Sequence, residues 1–240
     1  MSKIAVSVED RVFVLTGAGI SAESGLPTFR ASDGLWAGHR VEDVCVPEAW
    51  ERDPWRVWEF YSERRAAGVK AQPNPAHVAL AELETRLGDR FFLCTQNVDD
   101  LHERAGSRRL VHMHGELAKA HCEDDCGRPP VEDRAVYRSL DEVGRCACGG
   151  RLRPHIVFFG EIPMEMDRIQ EEIQKATLMV VVGTSGSVYP AANFVHWARL
   201  SGARTVYVGP EPPLNASAFT HVVEGKAGEV LPGLFEVEQS

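Results

Sequence analysis

The 240-residue sequence has no apolar run approaching the roughly 20 residues that a bilayer-crossing helix needs. It has no internal repeat, no low-complexity tract and no separable linker, which removes solenoid, collagen-like and disordered chains from consideration. Positive charge is in deficit: 26 Lys and Arg stand against 35 Asp and Glu, a formal −9. Binding to a phosphate backbone draws on clustered Lys and Arg, so direct nucleic-acid binding is not expected. The opening stretch MSKIAVSVEDR is too short and too charged for a secretory signal. A cytoplasmic protein with no membrane partner is the expectation.

What is present suits a globular α/β domain: 44% hydrophobic and 25% charged residues, enough chain to bury a full core. Apolar runs at 12–16, 91–95, 110–113, 178–182 and 205–208, with a weaker one at 220–223, read as strands. Helical patterns at 76–86, 166–176 and 192–201 separate them, which predicts parallel strands joined by crossovers. Two stretches break this rhythm. From about 31 to 72 the chain is Trp-rich and helix-leaning, with Asp53-Pro54 as N-cap and first helical residue. From about 119 to 153 it is polar, Cys-rich and without period. The predicted architecture is a Rossmann-like parallel sheet formed by residues 1–35, 73–118 and 157–240, with a helical insertion at 36–72 and a zinc-binding insertion at 119–156.

The run at 12–16 leads straight into Gly17-Ala18-Gly19-Ile20-Ser21-Ala22, a G-x-G-x-x-A turn after a strand. Such a turn lets backbone N–H groups approach a pyrophosphate and aims a helix N-terminus at it. The acidic residue that holds the adenosine ribose in dehydrogenases is missing. About twenty residues on stands Arg40-Val41-Glu42-Asp43, outside any strand-like context, which argues against hydride transfer.

The extended run from Gly17 through Glu23-Ser24-Gly25-Leu26-Pro27-Thr28-Phe29-Arg30 resembles the signature loop of the sirtuins, NAD-dependent protein-lysine deacylases. Thr95-Gln96-Asn97-Val98-Asp99, His114-Gly115-Glu116 and Gly183-Thr184-Ser185 follow in family order. The resemblance spans about residues 10 to 235. It implies that nicotinamide leaves a ribose, that the acyl-lysine oxygen takes its place, and that a base then assists a ribose hydroxyl. Imidazole suits that task because its pKa of about 6.5 lies near working pH. His112 and His114 compete for the role. On a strand both would face one side, and only the family motif selects His114. By resemblance Gln96 and Asn97 contact the ribose beside nicotinamide, Asp99 receives its carboxamide, and Phe29 and Arg30 line the diphosphate and sugar. Gly17, Ala18, Gly19, Ala22, Gly183, Thr184, Ser185, Gly209, Glu211 and Ala227 complete the cofactor set.

Of six cysteines, Cys122, Cys126, Cys146 and Cys148 cluster in the second insertion, and four thiolates point to one tetrahedral Zn2+ in a closed, structural site. The single residue between Cys146 and Cys148 makes a tight chelate, and His121 is a candidate substitute ligand. Tyr61 and Arg64 lie at i, i+3 on the helix opened by Asp53-Pro54, and so share a face. They are similar to the Y-x-x-R signature of sirtuins that accept succinyl, malonyl or glutaryl lysine, where guanidinium and phenol bind the terminal carboxylate. Arg65, about 100° further round the helix, is expected to point elsewhere. Val157-Phe158-Phe159-Gly160-Glu161 resembles the segment that pairs with the substrate peptide, with Val157, Phe159, Gly160 and Glu161 as contacts. The expected partners are acylated-lysine proteins. Mono-ADP-ribosyl transfer and a non-catalytic NAD-sensing zinc scaffold are the alternatives.

Overall fold

The computed structural model describes residues 3–28 and 35–238. Strands Val12–Thr16, Phe91–Thr95 and Leu178–Val182 coincide with expected runs, and all five positions of each are buried. Strands buried at every position belong at the centre of a sheet covered on both faces. They form its middle: the six-stranded sheet runs His221–Glu224, Arg204–Gly209, Leu178–Val182, Val12–Thr16, Phe91–Thr95, Leu110–His112, all parallel. Numbered along the chain, this is the order 6-5-4-1-2-3, the doubly wound arrangement that reverses direction between its first and fourth strands.

Alternating side chains divide the core. Val12, Val14 and Leu93 face helix Pro75–Leu87, which contributes Leu80, Leu83 and Leu87. Phe13, Leu15 and Cys94 face helices Met166–Lys175 and Phe194–Leu200, through Ile169, Ile173 and Val195. The helix expected at 192–201 opens as a 3-10 turn, Ala191–Asn193, before becoming α-helical.

The Cys-rich stretch is more regular than its composition suggests. Gly115–Cys122 is the central strand of a three-stranded antiparallel sheet, flanked by Val131–Glu132 and Leu152–Ile156. Its start at Gly115 needs glycine: φ is +85°, and a Cβ would collide with the His155 carbonyl oxygen.

In the helical insertion, Asp53 caps helix Pro54–Lys70 by accepting from Arg56 N at 3.1 Å. Trp50, Val57, Trp58, Phe60 and Tyr61 share one apolar cluster with Leu117 and Ile156 of the small sheet and with Phe158 just beyond it. Arg65 bolts the two together. Its Nε, Nη1 and Nη2 donate to the carbonyls of Leu117, Ala135 and Lys119, and Asp133 lies 3.1 Å from Nη1. Among the described residues no helix is long and apolar enough to cross a membrane.

Candidate active site

The site forms at the carboxyl ends of the central parallel strands, where the sheet order reverses. Gly17, Gln96 and Gly183 each directly follow one of three adjacent strands. Two glycines are required by closeness: a Cβ on Gly17 would meet Gly183 O at 2.9 Å, and one on Gly19 would meet Gly183 Cα at 2.7 Å. The expected role of their N–H groups needs correction. Gly17 N donates to Val182 O at 2.9 Å and Gly19 N to Gly183 O at 2.8 Å, so these two donors knit the loops together. Nor does an α-helix follow. Ala18–Ser24 is a seven-residue 3-10 turn closed by Gly25, which leaves little dipole to aim at an anion.

Around this turn the polar residues converge. The Asn97 side-chain amide donates to Ser21 Oγ at 3.1 Å, and Ser21 Oγ donates to Asp99 Oδ2 at 3.1 Å. Burial pushes the Asp99 carboxyl up, only partly offset by bonds from Leu101 N and Ser21 and by the charge of His112. Beneath, Asn97 N donates to Thr95 Oγ1 at 3.0 Å, which also accepts from Thr16 Oγ1 at 2.9 Å. His102 Nε2 reaches Thr16 Oγ1 at 3.0 Å. On the outer side, Ala227 opens a short helix whose Gly228 N donates to Glu23 Oε2 at 2.8 Å. Thr184 is half-buried; Ser185 and Glu211 are exposed, and Gly209 is buried.

The two competing histidines have different surroundings. His114 Nδ1 lies 3.0 Å from Gln96 O, a bond that fixes the proton on Nδ1 and leaves the lone pair on Nε2. Burial lowers its pKa, partly offset by that bond, so the ring is neutral near pH 7. His112 has both nitrogens engaged, Nδ1 with Asn97 O at 2.8 Å and Nε2 with Glu103 Oε1 at 2.7 Å. A neutral ring whose basic nitrogen has no partner among the described residues can take a proton from a hydroxyl; a ring bonded at both ends cannot.

The sulfurs of Cys122, Cys126, Cys146 and Cys148 lie within 4.8 Å of one another, with Cys122–Cys148 at 3.4 Å and Cys126–Cys146 at 3.6 Å. Tetrahedral Zn–S bonds of about 2.3 Å imply sulfurs roughly 3.8 Å apart, so the donor set fits a structural Zn2+ and the Cys146-x-Cys148 spacing is no obstacle. His121 is not part of this cluster, and its Nδ1 lies 3.4 Å from His155 Nδ1.

The acyl-pocket pair is only partly as expected. Arg64 is half-buried, and its Nε and Nη1 are shut off from solvent with no hydrogen-bond partner among the described residues. Its guanidinium lies 4.8 Å from the Phe60 ring centroid, and Nη2 lies 3.5 Å from Glu63. Tyr61 does not offer a free phenol: the ring is fully enclosed and its hydroxyl lies 2.9 Å from Cys45 Sγ. The segment 157–161 is a turn beyond the strand Leu152–Ile156. Phe158, not Phe159, is the buried ring. Glu161 holds the turn itself, pairing with Arg153 at 2.8 Å and accepting from Phe158 N at 2.7 Å. Val157 N donates to His114 O and Phe159 N to Cys45 O. Gly160, at φ +94°, sits at the tip.

Residues 17–190 match the Sir2 family. The chain belongs to the Sir2 family. It is 49% identical over 227 residues to an NAD-dependent protein deacylase of Vibrio cholerae, covering 94% of this chain and 92% of the relative. It is 51% identical over 224 residues to one of Salmonella typhimurium, covering 92% and 81%. Among solved structures, a Sir2 homologue in complex with NAD superposes with a TM-score of 0.85 at 42% identity, covering 95% of this chain and 89% of the other. A Sir2 homologue complexed with ADP-ribose gives 0.86 at 41%, covering 95% and 91%.

The sequence of this sirtuin pointed to Gln96, Asn97, Asp99 and His114, and the fold gathers them around one turn. Phe29 and Arg30 lie outside the described residues. Sequence reasoning missed Ser21, which bridges Asn97 and Asp99. Its signal was faint, a hydroxyl inside the glycine motif whose partners lie 76 and 78 positions away.

Proposed function

We propose that this sirtuin removes acyl groups from protein lysines with NAD as co-substrate, and that it prefers acyl groups ending in a carboxylate. The deacylase reading is supported by relatives of about half-identical sequence that bear that name. The preference rests on one observation: Arg64 keeps two guanidinium nitrogens, Nε and Nη1, out of water without a partner among the described residues. Unpaired buried donors are costly, and a ligand carboxylate would bring the guanidinium the acceptor it lacks. Burial also lowers the Arg64 pKa, which an incoming anion would reverse.

NAD supplies, when bound, an electrophilic ribose carbon with nicotinamide as leaving group. The residues fit that molecule: the Gly17 turn and Gly183 flank the reversal point, with Thr184, Ser185, Gly209, Glu211 and Ala227 toward the adenosine half. Gln96, Asn97 and Asp99, braced by Ser21, orient the nicotinamide ribose. His114 accepts a ribose-hydroxyl proton at Nε2. Val157, Phe159 and Gly160 face the peptide, Glu161 holds their turn, and Tyr61 forms the pocket wall beside Arg64. Cys122, Cys126, Cys146 and Cys148 hold Zn2+.

Nicotinamide release with succinyl- and acetyl-peptides tests this. Arg64→Met is expected to reduce desuccinylation at least tenfold more than deacetylation, a difference of about 1.4 kcal/mol or more. Equal losses would reject the carboxylate preference. ADP-ribose left on the protein target, seen as added mass, would reject deacylation itself.

A further inference from the structure

His112 stands two residues before the base and bridges three elements. It ends strand Leu110–His112, and its Nδ1 lies 2.8 Å from the main-chain carbonyl of Asn97. Its Nε2 lies 2.7 Å from Glu103 Oε1 on helix Leu101–Ala105. A carbonyl and a carboxylate only accept hydrogen bonds, so both ring nitrogens must carry protons. So protonated, the ring would be a cation with only 7% of its side chain exposed. The second oxygen of Glu103 is solvent-excluded and unpartnered among the described residues, so this carboxylate depends on His112 for compensation.

We propose that His112 is a positioning residue: as an imidazolium clamped between Glu103 and the Asn97 carbonyl, it fixes the ribose-binding loop in its working geometry. This deepens the deacylase reading and rests on it. Asn97 is then held from three directions, by Thr95 at its N–H, by Ser21 at its side-chain amide and by His112 at its carbonyl. Only the last of these can titrate near neutral pH.

The surrounding charges favour the cation. Glu103 comes from the short helix, Glu116 from strand Gly115–Cys122 and Asp99 from the loop below. His102 and His155 also face it, but burial drives both pKa values down, so they add no positive charge. Burial alone would lower the pKa of His112; the bond and charge of Glu103, the Asn97 carbonyl and Glu116 together outweigh it, and the net direction is up. The clamp is therefore complete below about pH 6.5 and is lost as pH rises through the elevated folded value. Donor atoms of Glu103, His112 and Glu116 lie within 4.8 Å of one another, but Lys119 Nζ already sits 2.7 Å from Glu116 Oε1. That arrangement is an ion-pair network, in which the cation is a protonated ring.

The test combines nitrogen NMR of the full chain with pH–rate profiles. In the wild type, His112 is expected to titrate with an apparent pKa above 6.5, with both ring nitrogens protonated below that value. Glu103→Gln should lower that pKa and move the alkaline fall of kcat in the same direction. His112→Asn keeps a donor at the Nδ1 position without a titrating group, so it should flatten the alkaline limb. His112→Leu should reduce kcat about tenfold across the range, with KM for the peptide changed less than threefold. An apparent His112 pKa at or below 6.5, an alkaline limb unmoved in both Glu103→Gln and His112→Asn, or loss of the His112 N–H signals on adding one equivalent of Zn2+ would overturn the proposal. A wild-type chain inert toward every acyl-peptide would sink the functional reading alone, since the titration still decides whether the clamp is charged.

Discussion

Two histidines two residues apart, alike in the sequence, differ because of what each nitrogen meets. His114 has one nitrogen bonded to Gln96 O and is buried, so it is neutral and its Nε2 is basic. Replacing it with Ala is expected to lower kcat at least ~100-fold, the usual scale for a lost general base. Zinc content and melting temperature should stay near wild type, and undiminished turnover would reject the assignment. Ser21 acts differently. Its hydroxyl joins Asn97 to Asp99, so Ser21→Ala leaves the half-buried Asp99 carboxylate short of a donor and frees the Asn97 amide. Loss of one such bond is worth about 1–2 kcal/mol, which predicts a roughly 5- to 30-fold weaker NAD affinity, measurable by calorimetry.

Helix Pro75–Leu87 shows how an element end can serve the site. Asn74 caps it by accepting from Ala76 N, and Asn74 N donates back to His77 Nδ1 in a reciprocal box. The Asn74 amide also donates to Ile20 O and Ser24 Oγ, which anchors the glycine turn. His77 is fully buried against His102, with ring centroids 4.9 Å apart, and burial takes its pKa down to about 4. The unfolded chain binds a proton near pH 6.5 and the folded one does not, so stability falls as pH drops from about 6.5 toward 4. His77→Asn preserves an acceptor for Asn74 N and cannot titrate. Urea unfolding of this variant should show a flatter stability profile over that window, and an unchanged slope would contradict the reading.

At the scale of the molecule, the helical and Cys-bearing insertions act as one lobe, because they share a core and the Arg65 clamp. Trp50 Nε1 donates to Glu123 Oε2, one residue beyond Cys122, so the indole senses the metal site. Removing Zn2+ with a strong chelator is expected to shift tryptophan emission to longer wavelength and to weaken succinyl-peptide binding, since structural zinc contributes folding energy directly. Zinc loss without either change would separate the two insertions. The strands and helices of the sheet, the four thiols and the glycine turn were all legible in the sequence, because period, turn chemistry and ligand type are local properties. The local pattern also held the i, i+3 pairing of Tyr61 and Arg64, but not the Cys45 thiol that engages the Tyr61 hydroxyl. Nor could it show that Gly17 and Gly19 donate to a neighbouring loop, that Arg65 is a buried bolt, or that Glu161 braces its own turn. Residue types and their pattern along the chain set which groups can donate, accept or ligate, and which segments pair with a core. Tertiary structure alone decided which of two equivalent imidazoles is charged, because a ring's proton count follows from the oxygens and the burial that distant segments bring to it.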